Sequence, residues 1–181
     1  MDFVKSKWSG LVKAYKHYTN PNDNPTDDDK KAFRLLDNAE VDLFIEFVES
    51  NPVNIHVRDF STVNFLIKAQ DVANDTNAVK KLLTQEERTV RAIKATEYLV
   101  KKGIDINYRD KSGGTALQAA VHWNNFEVAE VLLKHGADPN LGSSERFLNI
   151  PLISATFKQN EKMIVMLISY GANVEEALSL A

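Results

Sequence analysis

The chain has 181 residues, 44% hydrophobic and 26% charged, enough to bury a continuous core as one domain, or as one domain with an appendage. A net charge of -3 without a sustained basic stripe removes the electrostatic term that drives binding to a phosphate backbone, so nucleic acid is not an expected partner. With no cysteine, disulfide frameworks, thiolate metal sites and cysteine nucleophiles are excluded.

The opening MDFVKSKWSGLVK is interrupted by Asp2, Lys5 and Lys7 and lacks the unbroken apolar stretch of a secretory signal. The longest apolar run, MIVMLI from Met163, is too short to span a bilayer. An unprocessed, soluble, cytoplasmic protein that does not engage a membrane is therefore expected. Residues 3–18 put Val4, Trp8, Leu11, Val12 and Tyr15 on one helical face, and TNPNDNPT follows as a turn or linker with two prolines. This segment, 1–27, is read as an amphipathic helix that caps the open end of the domain behind it; its mixed charge demands neither a membrane nor a partner. Asp27, Asp28 and Asp29 stand in front of a helix, where its dipole favours carboxylates, which accounts for them without a bound cation.

From residue 28 onward the chain repeats itself. Gly103, Gly136 and Gly171 each close an apolar helical run, at spacings of 33 and 35 residues. Behind them recur Asp105 and Asn107, Asp138 and Asn140, and Asn173; Pro52, with Asn54 and His56, holds the place of an earlier glycine. In the clearest block Thr115 is placed to cap a helix carrying Leu117, Ala119 and Ala120, whose small side chains permit close approach. Phe126, Val128, Ala129, Val131, Leu132 and Leu133 follow with the spacing of a second helix, and Gly136 ends it in the left-handed conformation. Each such pair has too little core of its own and must stack on its neighbour.

The block before it is expanded. Its front half aligns at an offset of 51 and its back half at 33, so 18 extra residues lie between its two helices. The added stretch, about 70–90, contains AVKKLL, with Ala78, Val79, Leu82 and Leu83 at helical spacing, and then TQEERTVRAI, where Thr84 and Glu87 fit a capping box. A short extra helix and a lengthened second helix, about 85–102, are predicted. At the other end VEEALSLA is long enough for a single capping helix.

The period near 33 is joined by family-like motifs: TALQAA from Thr115, IPLISA from Ile150, the weaker NFLIKA from Asn64, and LLKHGAD from Leu132. On these residues the chain resembles the ankyrin repeat family. The resemblance implies an all-α solenoid of stacked helix pairs with short hairpin loops, over repeats at about 28–55, 58–107 (expanded), 109–140 and 141–174. It also implies a partner protein held in the concave groove and on the hairpin tips, by a monomer without cofactor or metal. Carried over position by position, the contact residues are Phe60 and Thr62 at one tip, Lys111 and Ser112, beside Gly114, at the next, and Arg146 and Phe147 near a lengthened third. At the far ends of the first helices of the repeats they are Asp71 (followed by Val72), then His122 with Trp123, then Phe157 with Lys158. Aromatic, histidine and Arg/Phe anchors of this kind resemble interface hot spots.

Two readings of Trp123 stand open: an exposed anchor, or a side chain covered by Val79, Leu82 or Leu83 of the insertion. Phe147 carries the same choice, and Arg109, Lys111 and Lys158 read equally as solvated charges. None of the histidines, 17, 56, 122 and 135, has a metal or nucleophile spacing; His135 suits a helix C-terminus, and His56 with Asp59 suits hydrogen bonding within a hairpin. Gly113 and Gly114 lack the lysine of a phosphate loop. The expected function is non-catalytic binding of another protein, as adaptor or inhibitor. Its narrower versions are a bacterial immunity protein covering a toxin's active site and a secreted effector capturing a host protein. The competing class is an enzyme or small-molecule binder with a closed pocket where the insertion meets the third repeat, walled by His122.

Overall fold

The computed structural model describes residues 25–57, 64–74, 80–142 and 150–179. The amphipathic helix expected over 3–18, the tip residues Phe60, Thr62, Arg146 and Phe147, and Ala78 and Val79 of the insertion lie outside these residues.

Helices run in pairs along the chain. The first is α1 (Asp27–Asp37) and α2 (Val41–Ser50); the second is α3 (Phe65–Gln70) and the long α4 (Gln85–Lys101). Then come α5 (Ala116–His122) with α6 (Phe126–Lys134), α7 (Pro151–Phe157) with α8 (Glu161–Ser169), and a terminal α9 (Val174–Ser179). Among the described residues there is no β-strand. Within each pair the helices pack together, and α1, α3, α5 and α7 also pack in succession to form an inner layer, backed by an outer layer of α2, α4 and α6. Ala69, Ala116, Ala120 and Ala155 are buried in the inner helices, where the absence of a long side chain lets adjacent layers approach. Leu36, Leu66, Leu99, Leu117, Leu132, Met163 and Leu167 fill the space between layers. At one end the filling is aromatic: Phe33 and Phe65 stack with ring centres 3.9 Å apart and Phe44 tilts against Phe65 at 5.7 Å.

The helix boundaries follow local chemistry. Thr26 and Asp29 form a capping box at α1, and the buried Asp29 carboxylate also accepts from the Asn54 main-chain N–H at 2.8 Å, binding the first helix to the segment after α2. Thr84 with Glu87 makes the expected box at α4, and Thr115 caps α5 by accepting from the Gln118 N–H. Gly136 and Gly171, at φ +90° and +92°, close α6 and α8 where a Cβ would be strained. In the described part of the insertion the chain makes 3₁₀ turns at Asp71–Ala73 and Lys80–Leu82, the second of them within the stretch predicted as a short extra helix.

The recurrent asparagines stitch one repeat to the next. Asn107 Oδ1 accepts from the Asp138 N–H (2.9 Å) while its Nδ2 donates to the Gly136 carbonyl (3.4 Å). One repeat on, Asn140 Oδ1 accepts from the Asn173 N–H (2.7 Å) and its Nδ2 donates to the Gly171 carbonyl (3.0 Å). Only a side chain with both a donor and an acceptor closes this two-way link. Asn140→Ala is expected to lower stability by about 1–2 kcal/mol, and Asn140→Asp, which keeps the acceptor, by less; urea denaturation of both variants checks the order.

Candidate functional site

The expanded repeat folds around a buried cation. Arg88 lies on the same face of α4 as Ala92, Ala95 and Leu99, all buried, so the helix carries its guanidinium inward. There it donates to the Ala73 carbonyl (3.3 Å), the Lys80 carbonyl (3.2 Å) and the Leu83 carbonyl (2.7 Å), and to Gln85 Oε1 (2.7 Å). Both ends of the inserted stretch are thereby held against the first turn of α4. A second buried cation, Lys80, donates to the Asp71 carbonyl at 2.7 Å. Burial raises the Asp71 carboxyl and lowers the Lys80 ammonium from their ordinary ranges, and the opposite charges around them offset part of each effect. Lys68 lies 3.7 Å from the Asp71 carboxylate and 2.6 Å from that of Asp37, so the neighbourhood is charge-balanced.

Pinned in this way, the insertion leaves an open recess of about 900 Å³ between the start of α4 and the turn joining α5 to α6. Val90 and Ile93 of α4 face Trp123 across it; Ala73, Asn74 and Asn125 form the floor, and Glu86 and Glu127 stand among its charged lining residues. Trp123 is 45% exposed, and Leu82, one of the side chains expected to cover it, is itself 85% exposed. Leu83 packs against the core instead. The indole is thus a wall of the recess, with the His122 ring edge-on to it at 5.1 Å. On the floor, Asn125 Nδ2 donates to Asn74 Oδ1 (3.4 Å), and the buried Asn74 Nδ2 has no acceptor among the described residues.

The neighbouring turn is tied to this one. Lys158 Nζ donates to the His122 carbonyl, and Asn160 Nδ2 to Asn124 Oδ1, so the ends of α5 and α7 are held in register. Burial, and then the Lys158 charge, hold the His122 imidazole below its ordinary 6.5. Phe157, beside Lys158, is 75% exposed. His122, Trp123, Phe157 and Lys158 therefore share the far ends of adjacent inner helices, whereas Lys111 and Ser112 lie at the other end of α5, about 10 Å away for a seven-residue helix. Ser112 is engaged in its own turn, its N–H and hydroxyl both donating to Asp110 Oδ1 at 2.7 Å. Asp71 is held within the charge network described above.

Two basic residues read as solvated are engaged instead: Lys158, as described, and Arg109, whose guanidinium donates to the Gly142 carbonyl at 2.6 Å. His135 Nδ1 meets the Val131 carbonyl at 2.8 Å, in the helix-ending role expected of it. The recess occupies the place foreseen for a pocket between insertion and third repeat, but it is open rather than closed and His122 is not among its lining residues. Asn74, Arg88, Val90 and Ile93 were not expected in a site. For Arg88 a signal was present, since its four-residue spacing to Ala92 places it on the apolar face.

A family model described as ankyrin repeats, in three copies, matches residues 38–177. The chain belongs to the ankyrin repeat family. It is similar to protein phosphatase 1 regulatory subunit 27 of Mus musculus, with 31% identity over 57% of this chain and 69% of that protein. It is also similar to a glycerophosphocholine phosphodiesterase of Schizosaccharomyces pombe (38% identity, 44% of this chain, 7% of that protein). A third relative is an ankyrin repeat protein of Acanthamoeba polyphaga mimivirus (35% identity, 38% of this chain, 40% of that protein). The chain thus spans well under two thirds of the latter two relatives. Ankyrin repeats generally serve as protein-binding modules. Among the described residues no cluster of His, Asp and Glu is placed to hold a metal ion, and no helix is long and apolar enough to cross a membrane.

Replacing Arg88 by Met, similar in length but without donors, is expected to cost about 2–4 kcal/mol because three main-chain carbonyls lose a charged partner. Chemical denaturation measures the loss.

Proposed function

We propose that this ankyrin repeat chain acts without catalysis, by holding another protein against the aligned ends of its inner helices, as an adaptor or inhibitor. The observation that carries this reading is the exposure of Trp123 and Phe157 at the ends of successive inner helices, beside His122 and Lys158. Large aromatic groups held partly open on a rigid support lose little conformational freedom when a partner covers them, which suits interface anchors. The hairpin tip at Lys111 supplies polar contacts at the opposite end of α5. The regulatory role named for the phosphatase subunit agrees with a binding module that acts on other proteins through contact alone. Immunity to a toxin and capture of a host protein are narrower versions of the same mechanism, and the carboxylates of Glu86 and Glu127 favour a basic partner in either.

The test is affinity capture from the source cells with wild type and with Trp123→Ala and Phe157→Ala variants. Phe157→Ala is expected to change stability by no more than about 0.5 kcal/mol, as for other exposed sites. Loss of one captured protein from variants that still fold supports the proposal. Capture unchanged in both variants contradicts it.

A further inference from the structure

The recess between α4 and the α5–α6 turn differs in character from the aligned helix ends. Its lining combines polar groups with apolar side chains left open to solvent: Val90, 59% exposed, and Trp123, 45% exposed, line it together with Ile93. Exposed apolar side chains gathered in one concavity are more informative than the same residues scattered singly. Its exposed carboxylates, Glu86 and Glu127, are in no ion pair among the described residues. The one cation in the lining, Arg88, is buried and already donates to four acceptors within the chain. On the floor, Asn74 is 7% exposed and its Nδ2 has no acceptor among the described residues.

Building on the protein-binding reading above, we infer that this recess takes an extended peptide segment of the partner in which an apolar side chain lies between two basic ones. The apolar side chain fills the space between Val90, Ile93 and Trp123. The flanking ammonium or guanidinium groups meet Glu86 on one element and Glu127 on another. A main-chain carbonyl of the segment supplies the acceptor that Asn74 Nδ2 lacks, after a small rotation of the amide into the recess. An acidic segment is disfavoured, because the exposed carboxylates repel it while the cation behind them is already satisfied.

The probe is a pair of end-blocked synthetic heptapeptides, each with a central leucine, one flanked by lysines and the other by glutamates. Trp123 reports binding by its emission in a full-length Trp8→Phe chain, which leaves it as the sole tryptophan. The lysine peptide is expected to bind at least ~10-fold more tightly than the glutamate peptide at low ionic strength, with the preference shrinking as salt is added. In a Glu86→Gln/Glu127→Gln chain the preference should vanish; both positions are exposed, and a melting curve shows that the chain still folds. No emission change with either peptide, or a preference untouched by the double substitution, overturns the inference. If that happens while Phe157→Ala still abolishes capture of the whole partner, the recess is not the site although protein binding stands. If capture is also unchanged in both the Trp123→Ala and the Phe157→Ala variants, both readings fall together.

Discussion

The guanidinium of Arg88 is the interaction on which the distinctive part of this molecule depends. Inserted residues between two helices of a repeat would ordinarily carry unpaired main-chain carbonyls into contact with the stack, and each buried one would be costly. Arg88 gathers the carbonyls of Ala73, Lys80 and Leu83 at one point and is held in place by Gln85 from its own helix. Lys80 closes the other side by bonding the Asp71 carbonyl. Two buried cations thus do by hydrogen bonding what a hydrophobic core would do in a longer element. Because their acceptors are neutral carbonyls as well as nearby carboxylates, the charge is solvated by the chain itself.

What the insertion is fastened to is a stack whose order comes from small side chains and from asparagine. Alanines in α3, α5 and α7 bring the inner helices close, and Asn107 and Asn140 bind each repeat to the beginning of the next. A rigid stack holds the ends of α5 and α7 level, and the bonds from Lys158 and Asn160 fix that alignment. Trp123 stands where the two features meet: it ends an inner helix of the regular stack and walls the recess that the insertion creates. Among the described residues of the insertion, Leu82 is exposed instead of lying over the indole, and Trp123 keeps 45% of its surface open.

The repeat architecture was legible in the sequence because each signal in it is local. Glycines at a period near 33, a threonine before a helix and a Thr–x–x–Glu capping box act within a turn of themselves, and Thr84, Thr115, Gly136 and Gly171 behave as their residue types require. The asparagines were visible as a period, whereas their reason, a bond across some 30 residues, needed the third dimension. The recess was harder to see for a similar cause. Val90 and Ile93 on one element and Trp123 on another come to line one recess only once α4 packs against α6. Arg88 holds the described ends of the insertion beside it, and charged residues are ordinarily assigned to the surface unless their helical spacing is followed closely. Likewise Arg109 and Lys158, read as solvated charges, find carbonyl partners that sequence spacing could not reveal.

The state of the Trp123 indole tests the central claim most directly, because an open recess and a covered one differ in whether water reaches it. In the Trp8→Phe chain its emission should lie between that of a buried and a fully solvated indole, and both acrylamide and iodide should quench it, since the group is about half exposed. A blue-shifted emission that neither quencher reaches would mean that the insertion closes over the indole, and would contradict an open recess walled by Trp123.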